Sequence, residues 1–462
     1  MTDPFAPPPN LPVPSPWSDA DYERVSHTRL RRRMLTGRWR DDLTEAVERE
    51  VGDVRRAAWG LVDISANPFR ASCSALAALY DVPGEVTADD PEAGVMVADA
   101  LKSAGFWQLM QRVQRDTIGM REMVVVPEYE AAGDRAEEEG DEPHLMLRVV
   151  PPDLIWARAH PMEPDEPVVL VETTMRDGVW GYDLYSVVGG VGVFRRYSES
   201  KELVEELAGE EYPAKWRWQD GRPFIPHVLY HASRSGELFD PYEGIEIVEG
   251  TMRLGVLYTF YGHCVKQASW PQRYMVNVRP SGSANAMDGD QLPGQQREKS
   301  HIVTDPAAVL SLDAIEDAGQ PMVGSWQTSS DPNALLESIL AYERRIFAMA
   351  GLSPADAQRV AGDPRSGFAL AINQENKRAD QQRYAPSFRR GDESLAERVG
   401  AMMGMDAATY TVRYGFEMEA AGDSVVGDLE AISAALAAGD VDLAAVSEDI
   451  DALIASLGSA NG

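Results

Sequence analysis

The stretch "DPYEGIEIVEGTMRLGVLYTFYGHCVKQ", residues 240–267, leaves the fold little freedom. Apart from a polar stripe of Glu246, Glu249 and Arg253, it is apolar almost all the way round. A helix of that kind has to be covered on several sides, by its own domain or by neighbouring copies. A second long helix is expected over 332–350, with Leu335, Ile339, Tyr342, Ile346 and Met349 on one face, Asp331 as N-cap and Pro332 in the first position. Between the two lies a small inserted module: a polar, turn-rich stretch at 279–300 flanked by strand-like runs at 273–278 and 301–304. The second helix stops at Gly351, and "GLSPADAQRVAGDPRSGFAL" interrupts the helical pattern until it resumes over 368–388, with Phe368, Ile372 and Ala379 facing inward.

The remainder reads as an α+β protein. Residues 1–40 form a Pro-rich and basic arm, whose first 17 residues cannot be regular helix or sheet. Arg29, Arg31, Arg32, Arg33, Arg38 and Arg40 make a patch that is either a solvated helix face or a partner contact. Three- and four-residue spacing predicts helices over 41–62, 67–80 and 104–116. Between 120 and 232 the pattern changes to short Val-, Tyr- and Leu-rich runs, the strands of an antiparallel sheet. Within them "VVGGVGVF" contains a GxG but no following helix, so it reads as a hairpin turn and not as a dinucleotide loop. From Phe416 onward there are ten acidic residues and no basic one, read as two short helices that are either a solvated cap or a surface that meets a basic partner.

Charge and motif content narrow the function. A net charge of -31, from 74 acidic and 43 basic residues, argues against tight wrapping of nucleic acid and is compatible with DNA passing without sticking. Cys73 and Cys264 lie far apart and read as buried thiols, so neither a disulfide framework nor a zinc site is expected. No GK dipeptide, HExxH or GxSxG occurs. His227 and His231, four apart, read as structural histidines. A non-enzymatic protein without metal or cofactor is expected. The Pro-rich opening lacks an apolar core and the run 254–265 is too short to span a bilayer, so a cytosolic chain with no membrane contact is expected.

Four stretches, in their order, carry a resemblance. "NPFRASCSALAALY" looks like an early helix, "VVPPDLIWARAHPMEPDEPV" like a strand–Pro–Asp turn–strand, "FIPHVLYHASRSGELFDPYEGIEIVEGTMRL" like a strand leading into a stem helix, and "GDPRSGFALAINQENKRADQQ" like the start of a helix after a loop. Together they cover roughly residues 60 to 400 and resemble the portal proteins of tailed bacteriophages and related gene-transfer particles. The resemblance implies a wing at 41–239 (helices, then antiparallel β), a stem helix at 240–268, a small α/β clip at 269–331 and a second long helix at 332–350. It further implies a tunnel loop at 351–367 and a post-loop helix and wing or crown base at 368–415; the N-terminal arm and the acidic helical crown or C-terminus at 416–462 are not accounted for by it.

The resemblance implies a homo-oligomeric ring, commonly a dodecamer, at one capsid vertex of the virion after assembly in the host cytoplasm. Such a ring would conduct double-stranded DNA during packaging and ejection, and its wing would meet the major capsid protein. By position, Asn285, Asp288, Asp290, Gln291, Gln295 and Arg297 in the clip would dock the terminase large subunit and later a head-completion (adaptor) protein. Gln358, Arg359, Asp363 and Arg365 in the tunnel loop would face DNA, or the two arginines are solvated or paired with Asp356 and Asp363. Two other readings stay open at this point: a different head–tail connector or minor capsid protein, and a soluble enzyme with an unrecognised site.

Overall fold

A computed structural model describes residues 19–52, 61–130, 144–176, 178–200, 202–269, 272–280, 312–314, 320, 322–326, 331–352, 367–405 and 408–417. The N-terminal half runs α1 (Asp19–Thr36), α2 (Arg40–Val51), α3 (Pro68–Leu76), β1 (Glu85–Ala88), α4 (Pro91–Ser103) and α5 (Phe106–Met120). Strands β2 (Glu122–Glu130), β3 (His144–Val150), β4 (Ile155–Ala159), β5 (Pro167–Arg176), β6 (Val179–Val188), β7 (Val191–Ser198), β8 (Leu203–Ala208) and β9 (Val228–His231) follow. Then come α6 (Ile245–Ser269), β10 (Gln272–Val276), β11 (Val278–Pro280), β12 (Leu312–Ala314), β13 (Met322–Trp326), α7 (Pro332–Met349), α8 (Gly367–Met402) and β14 (Tyr410–Arg413). The chain divides into two units, one of residues 1–39, 69–248 and 350–462 and the other of residues 40–68 and 249–349.

In the first unit, β4 to β8 form an antiparallel meander in sequence order, and β3–β2–β9 form a second, three-stranded sheet. Alternation along the strands gives the meander two buried faces. Ile155, Leu170, Tyr185 and Phe194 point into one core with Val124, Val126 and Val150 of the second sheet. Their neighbours Trp156, Val171 and Leu184 point the other way, into a core with Val25 of α1. The hairpin between β6 and β7 turns on Gly189 and Gly190, at φ 59° and 79°, the left-handed pair that a two-residue turn requires. This is the turn expected from "VVGGVGVF".

Several expected elements differ from those observed. The arm assigned to 1–40 contains α1, and its arginines are built into the core. Arg24 donates to the carbonyls of Pro152 (2.9 Å) and Ile155 (2.7 Å). Arg31 donates to those of Gly119 (3.2 Å), Pro241 (3.1 Å) and Glu243 (2.8 Å). Burial lowers the Arg31 pKa to about 10, with Arg121 adding to the effect. Arg29 and Arg32 approach the buried Asp153 at 3.9 and 3.1 Å. A patch read as solvated or partner-facing is therefore partly internal.

The helix expected over 41–62 ends at Val51, because Gly52 takes φ 77° and its N–H caps the Glu48 carbonyl at 2.8 Å. The single sheet expected between 120 and 232 is two sheets. The stem helix begins at Ile245 and not at 240, since residues 240–244 form a turn closed by Gly244 at φ 70°. Buried Glu122 accepts the Asp240 N–H in that turn at 2.7 Å, and Arg31 holds its carbonyls. The helix expected to end at 388 continues through Pro386 to Met402. Its buried residues Phe388, Leu395, Ala396 and Val399 hold the continuation in the core, which outweighs the one hydrogen bond proline removes. Ala379, expected to face inward, is exposed; Gln381, Tyr384 and Ala385 are the buried residues of that turn. Residues 1–18 and 418–462, including most of the acidic end, lie outside the described residues. No helix among the described residues is long and apolar enough to cross a membrane.

Candidate functional site: the helix–insert–helix unit

The second unit is built on α6 and α7. Asp331 caps α7 as its sequence predicts: its Oδ1 accepts the Asn333 N–H at 2.9 Å. Gly351, at φ 80°, stands directly after the helix, the left-handed residue that ends so many helices. The two helices approach closely because Gly250 has no side chain. A Cβ there would lie 3.2 Å from Cγ1 of Ile346, with the Tyr342 hydroxyl at 3.8 Å. A glycine inside a helix costs ~1 kcal/mol against alanine, so its place is explained by this approach. Gly250→Leu is expected to destabilise the unit by about 1–3 kcal/mol, read as a lower urea midpoint, because the helices must separate. An unchanged midpoint would mean that α7 does not seat on Gly250. Further along, the Tyr258 hydroxyl donates to Glu343 Oε2 at 3.2 Å. Burial, aided by that carboxylate, pushes the phenol up to about 12.

The insert leaves α6 as two antiparallel ribbons. β10 pairs with β13, Gln272 opposite Trp326 to Val276 opposite Met322. β11 pairs with β12, Val278 opposite Ala314 to Pro280 opposite Leu312. Asn277 sits between β10 and β11 at φ 59°, a conformation asparagine tolerates, and its Nδ2 donates to the Gln320 carbonyl at 3.1 Å. Of the two strand-like runs expected here, 273–278 corresponds to β10 and its exit; 301–304 lies outside the described residues. So do the clip residues Asn285, Asp288, Asp290, Gln291, Gln295 and Arg297, and the loop residues Gln358, Arg359, Asp363 and Arg365.

One side of α6 is covered by residues 61–65. The Asp63 N–H donates to Thr259 Oγ1 at 3.0 Å, and Arg40 donates to the Val62 carbonyl at 3.4 Å. Beside this contact is a cleft of about 500 Å³ whose wall includes Arg40, His263 and Lys266. Burial and the nearby Lys266 ammonium lower the His263 pKa. Thr259 is committed as a structural hydroxyl, accepting from Asp63 and donating to the Gly255 carbonyl at 2.8 Å. The cover on α6 thins along its length. The turn of Leu254, Gly255 and Val256 is buried, whereas Leu257, Tyr261, Cys264 and Val265 further along are only partly buried, and Glu246, Glu249 and Arg253 are exposed.

The histidines singled out from the sequence are internal. His227 is fully buried and its Nε2 lies 2.9 Å from Glu172 Oε2, with the Tyr185 ring centroid 4.6 Å away. Burial pushes the Glu172 carboxyl up, but hydrogen bonds from His227 and Arg148 outweigh it and hold it at about 2. Burial lowers the His227 pKa, opposed by its hydrogen bond to Glu172, and Arg148 donates to the same carboxylate at 3.0 Å. His231 is also buried, and its pKa is lowered to about 4 by burial. Cys73 is buried and Cys264 half-buried, both as free thiols. Among the described residues no group of three or more His, Cys, Asp or Glu side chains could hold a metal ion. Neither a protein-family model nor a curated protein sequence matches this chain.

Proposed function

We propose that this chain is a portal subunit: one member of a ring at a capsid vertex that conducts double-stranded DNA during packaging and ejection. Its outer wing contacts the major capsid protein, and its insert docks the terminase large subunit and then a head-completion protein. The work is mechanical and not catalytic. The observation that carries this reading is α6, a 25-residue helix whose exposed polar residues are confined to a stripe of Glu246, Glu249 and Arg253 in its first half and whose apolar residues Leu257, Tyr261 and Val265 further along are only partly buried. Neighbouring copies in a ring would complete their cover. A two-ribbon insert between long helices supports a protruding docking module. The net charge of -31 supports passage of DNA, since affinity grows with the number of phosphates neutralised and a strongly basic lining would arrest the duplex.

Negative-stain microscopy of the purified chain, alone and with its coat protein, tests the reading directly. Rings with a central channel are expected; monomers or dimers under every condition would reject it. Deletion of residues 355–365 is expected to leave rings intact and to reduce packaged DNA in particles at least severalfold. Full packaging by that variant would remove the tunnel-loop assignment of Gln358, Arg359, Asp363 and Arg365.

A further inference from the structure

A second cleft, of about 310 Å³, lies in the first unit and has no part in the portal reading. Four arginines line it: Arg121 between α5 and β2, Arg234 after β9, and Arg383 and Arg390 seven residues apart on α8. Two carboxylates oppose them. Glu243 pairs with Arg121, and Asp165 sits 3.1 Å from Arg234 and 3.9 Å from Arg390. The next acid along the chain, Glu166, is engaged elsewhere, 3.5 Å from Arg398. No described carboxylate pairs with Arg383, whose guanidinium lies 5.6 Å from the Tyr384 ring centroid. The lining itself holds four arginines and one carboxylate, Glu243, while Asp165, Glu166, Glu122 and Asp240 act on Arg234 and Arg121 from outside it.

The arrangement is also held at some cost in conformation. Arg121 takes φ 79°, a backbone state that non-glycine residues rarely adopt. That turn brings its side chain, only 11% exposed, onto Ser233 Oγ at 2.6 Å and onto Glu243. Burial lowers the Arg121 pKa, and Arg383 is among the charges that add to it. Burial likewise lowers Arg234, with Arg390 the next cause. Like charges brought together in a partly dry cleft repel, and an oxyanion that accepts from several guanidinium forks removes that repulsion. We infer that this cleft binds a phosphate group, with Arg383 and Arg390 as the two guanidiniums open to it from α8. The phosphate has two sources, a free ion or small monoester and a nucleic-acid backbone; the chemistry recognised is the same.

Titration calorimetry on the full chain distinguishes these sources. Inorganic phosphate, titrated at ionic strength matched with chloride, is expected to bind one site per chain. Arg383→Gln and Arg390→Gln should each weaken that binding tenfold or more, with unchanged melting curves because both side chains are exposed. A short DNA duplex that binds the wild type and loses affinity in Arg383→Gln identifies the backbone as the source. A duplex that does not bind identifies the free anion or a monoester. Indistinguishable heats for phosphate and chloride, or phosphate affinity unchanged in both variants, overturns the site. None of these outcomes depends on ring formation, so the portal reading and this site can fail separately.

Discussion

Asp392→Ala is expected to cost about 3–5 kcal/mol of folding stability, enough to unfold a marginally stable chain at physiological temperature. Asp392, on α8, is 1% exposed and accepts hydrogen bonds from three phenols. Tyr80 and Tyr414 donate to Oδ2 at 2.8 Å each, and Tyr230 donates to Oδ1 at 3.0 Å. The donors come from the turn after α3, from β9 and from the residue after β14, so one carboxyl ties three distant stretches to the long helix. The rings pack edge to face around it, Tyr80 against Tyr414 at 5.6 Å and against Phe388 at 6.0 Å. Neighbouring Gly391 makes room, since a Cβ there would fall 2.6 Å from the Tyr230 ring. Alanine would leave three buried hydroxyls without their acceptor, at about 1–3 kcal/mol each before relaxation. A loss below about 1 kcal/mol by urea unfolding would show that the phenols find other partners.

The same carboxyl gives a pH dependence with a definite sign. Burial raises its pKa from the ordinary 3.8 to about 7, against the pull of the three phenol hydrogen bonds. Burial also raises Glu122 to about 7, opposed first by the Asp240 N–H and then by Arg121. A folded pKa above the unfolded one means the folded state binds the extra proton. Its stabilising contribution is therefore complete in acid and is lost as pH rises through about 7. The urea midpoint is expected to fall between pH 6 and pH 8. Asp392→Asn, which keeps an acceptor without the charge, should flatten that slope. The phenols stay protonated throughout, because burial raises them well above 10. A slope equal in wild type and Asp392→Asn would place the linkage elsewhere.

What could be read from the sequence was what local pattern determines. β3 spans His144–Val150, the run "HLMLRVV", because period-two alternation with β-branched residues has few other solutions. The limits of α7 follow from Asp331, Pro332 and Gly351, all local signals. The rest depended on partners far along the chain. α1 carries "RLRRR" and looks solvated until the carbonyls of Gly119, Pro241 and Glu243 are seen to satisfy Arg31. β1 and β14 are four residues each, and only their antiparallel pairing, Glu85 opposite Arg413 to Ala88 opposite Tyr410, makes them strands. Asp392 is one of 74 acidic residues, and nothing nearby marks it as the acceptor for three tyrosines. The arginine cleft was missed for the same reason, since its four members are spread from 121 to 390. Of the candidate site, the scaffold of two helices and an insert was legible, whereas the chosen clip and loop residues fall outside the described parts.

The proposed ring has its own decisive substitution, Leu257→Glu combined with Tyr261→Glu. The two residues are four apart on α6 and continue to Val265, so they form one partly exposed ridge that extends the line of Glu249 and Arg253. In a ring that ridge would be desolvated, and burying each apolar side chain would contribute about 1–2 kcal/mol per contact, repeated at every subunit boundary. Two carboxylates in its place would lose that term and in addition resist desolvation without a partner. Within a single chain the change is expected to cost less, because both side chains are only partly buried while Leu254 and Val256 stay buried. Mass photometry is therefore expected to show rings for the wild type and single chains for the double variant, with melting temperatures within a few degrees of each other. Glu249→Gln, on the polar stripe of the same helix, should assemble normally and control for an effect of charge alone. Rings that persist in the double variant would remove this face as the subunit contact. Loss of rings together with the native melt would instead make Leu257 and Tyr261 part of the chain's own core, and α6 would no longer support assembly.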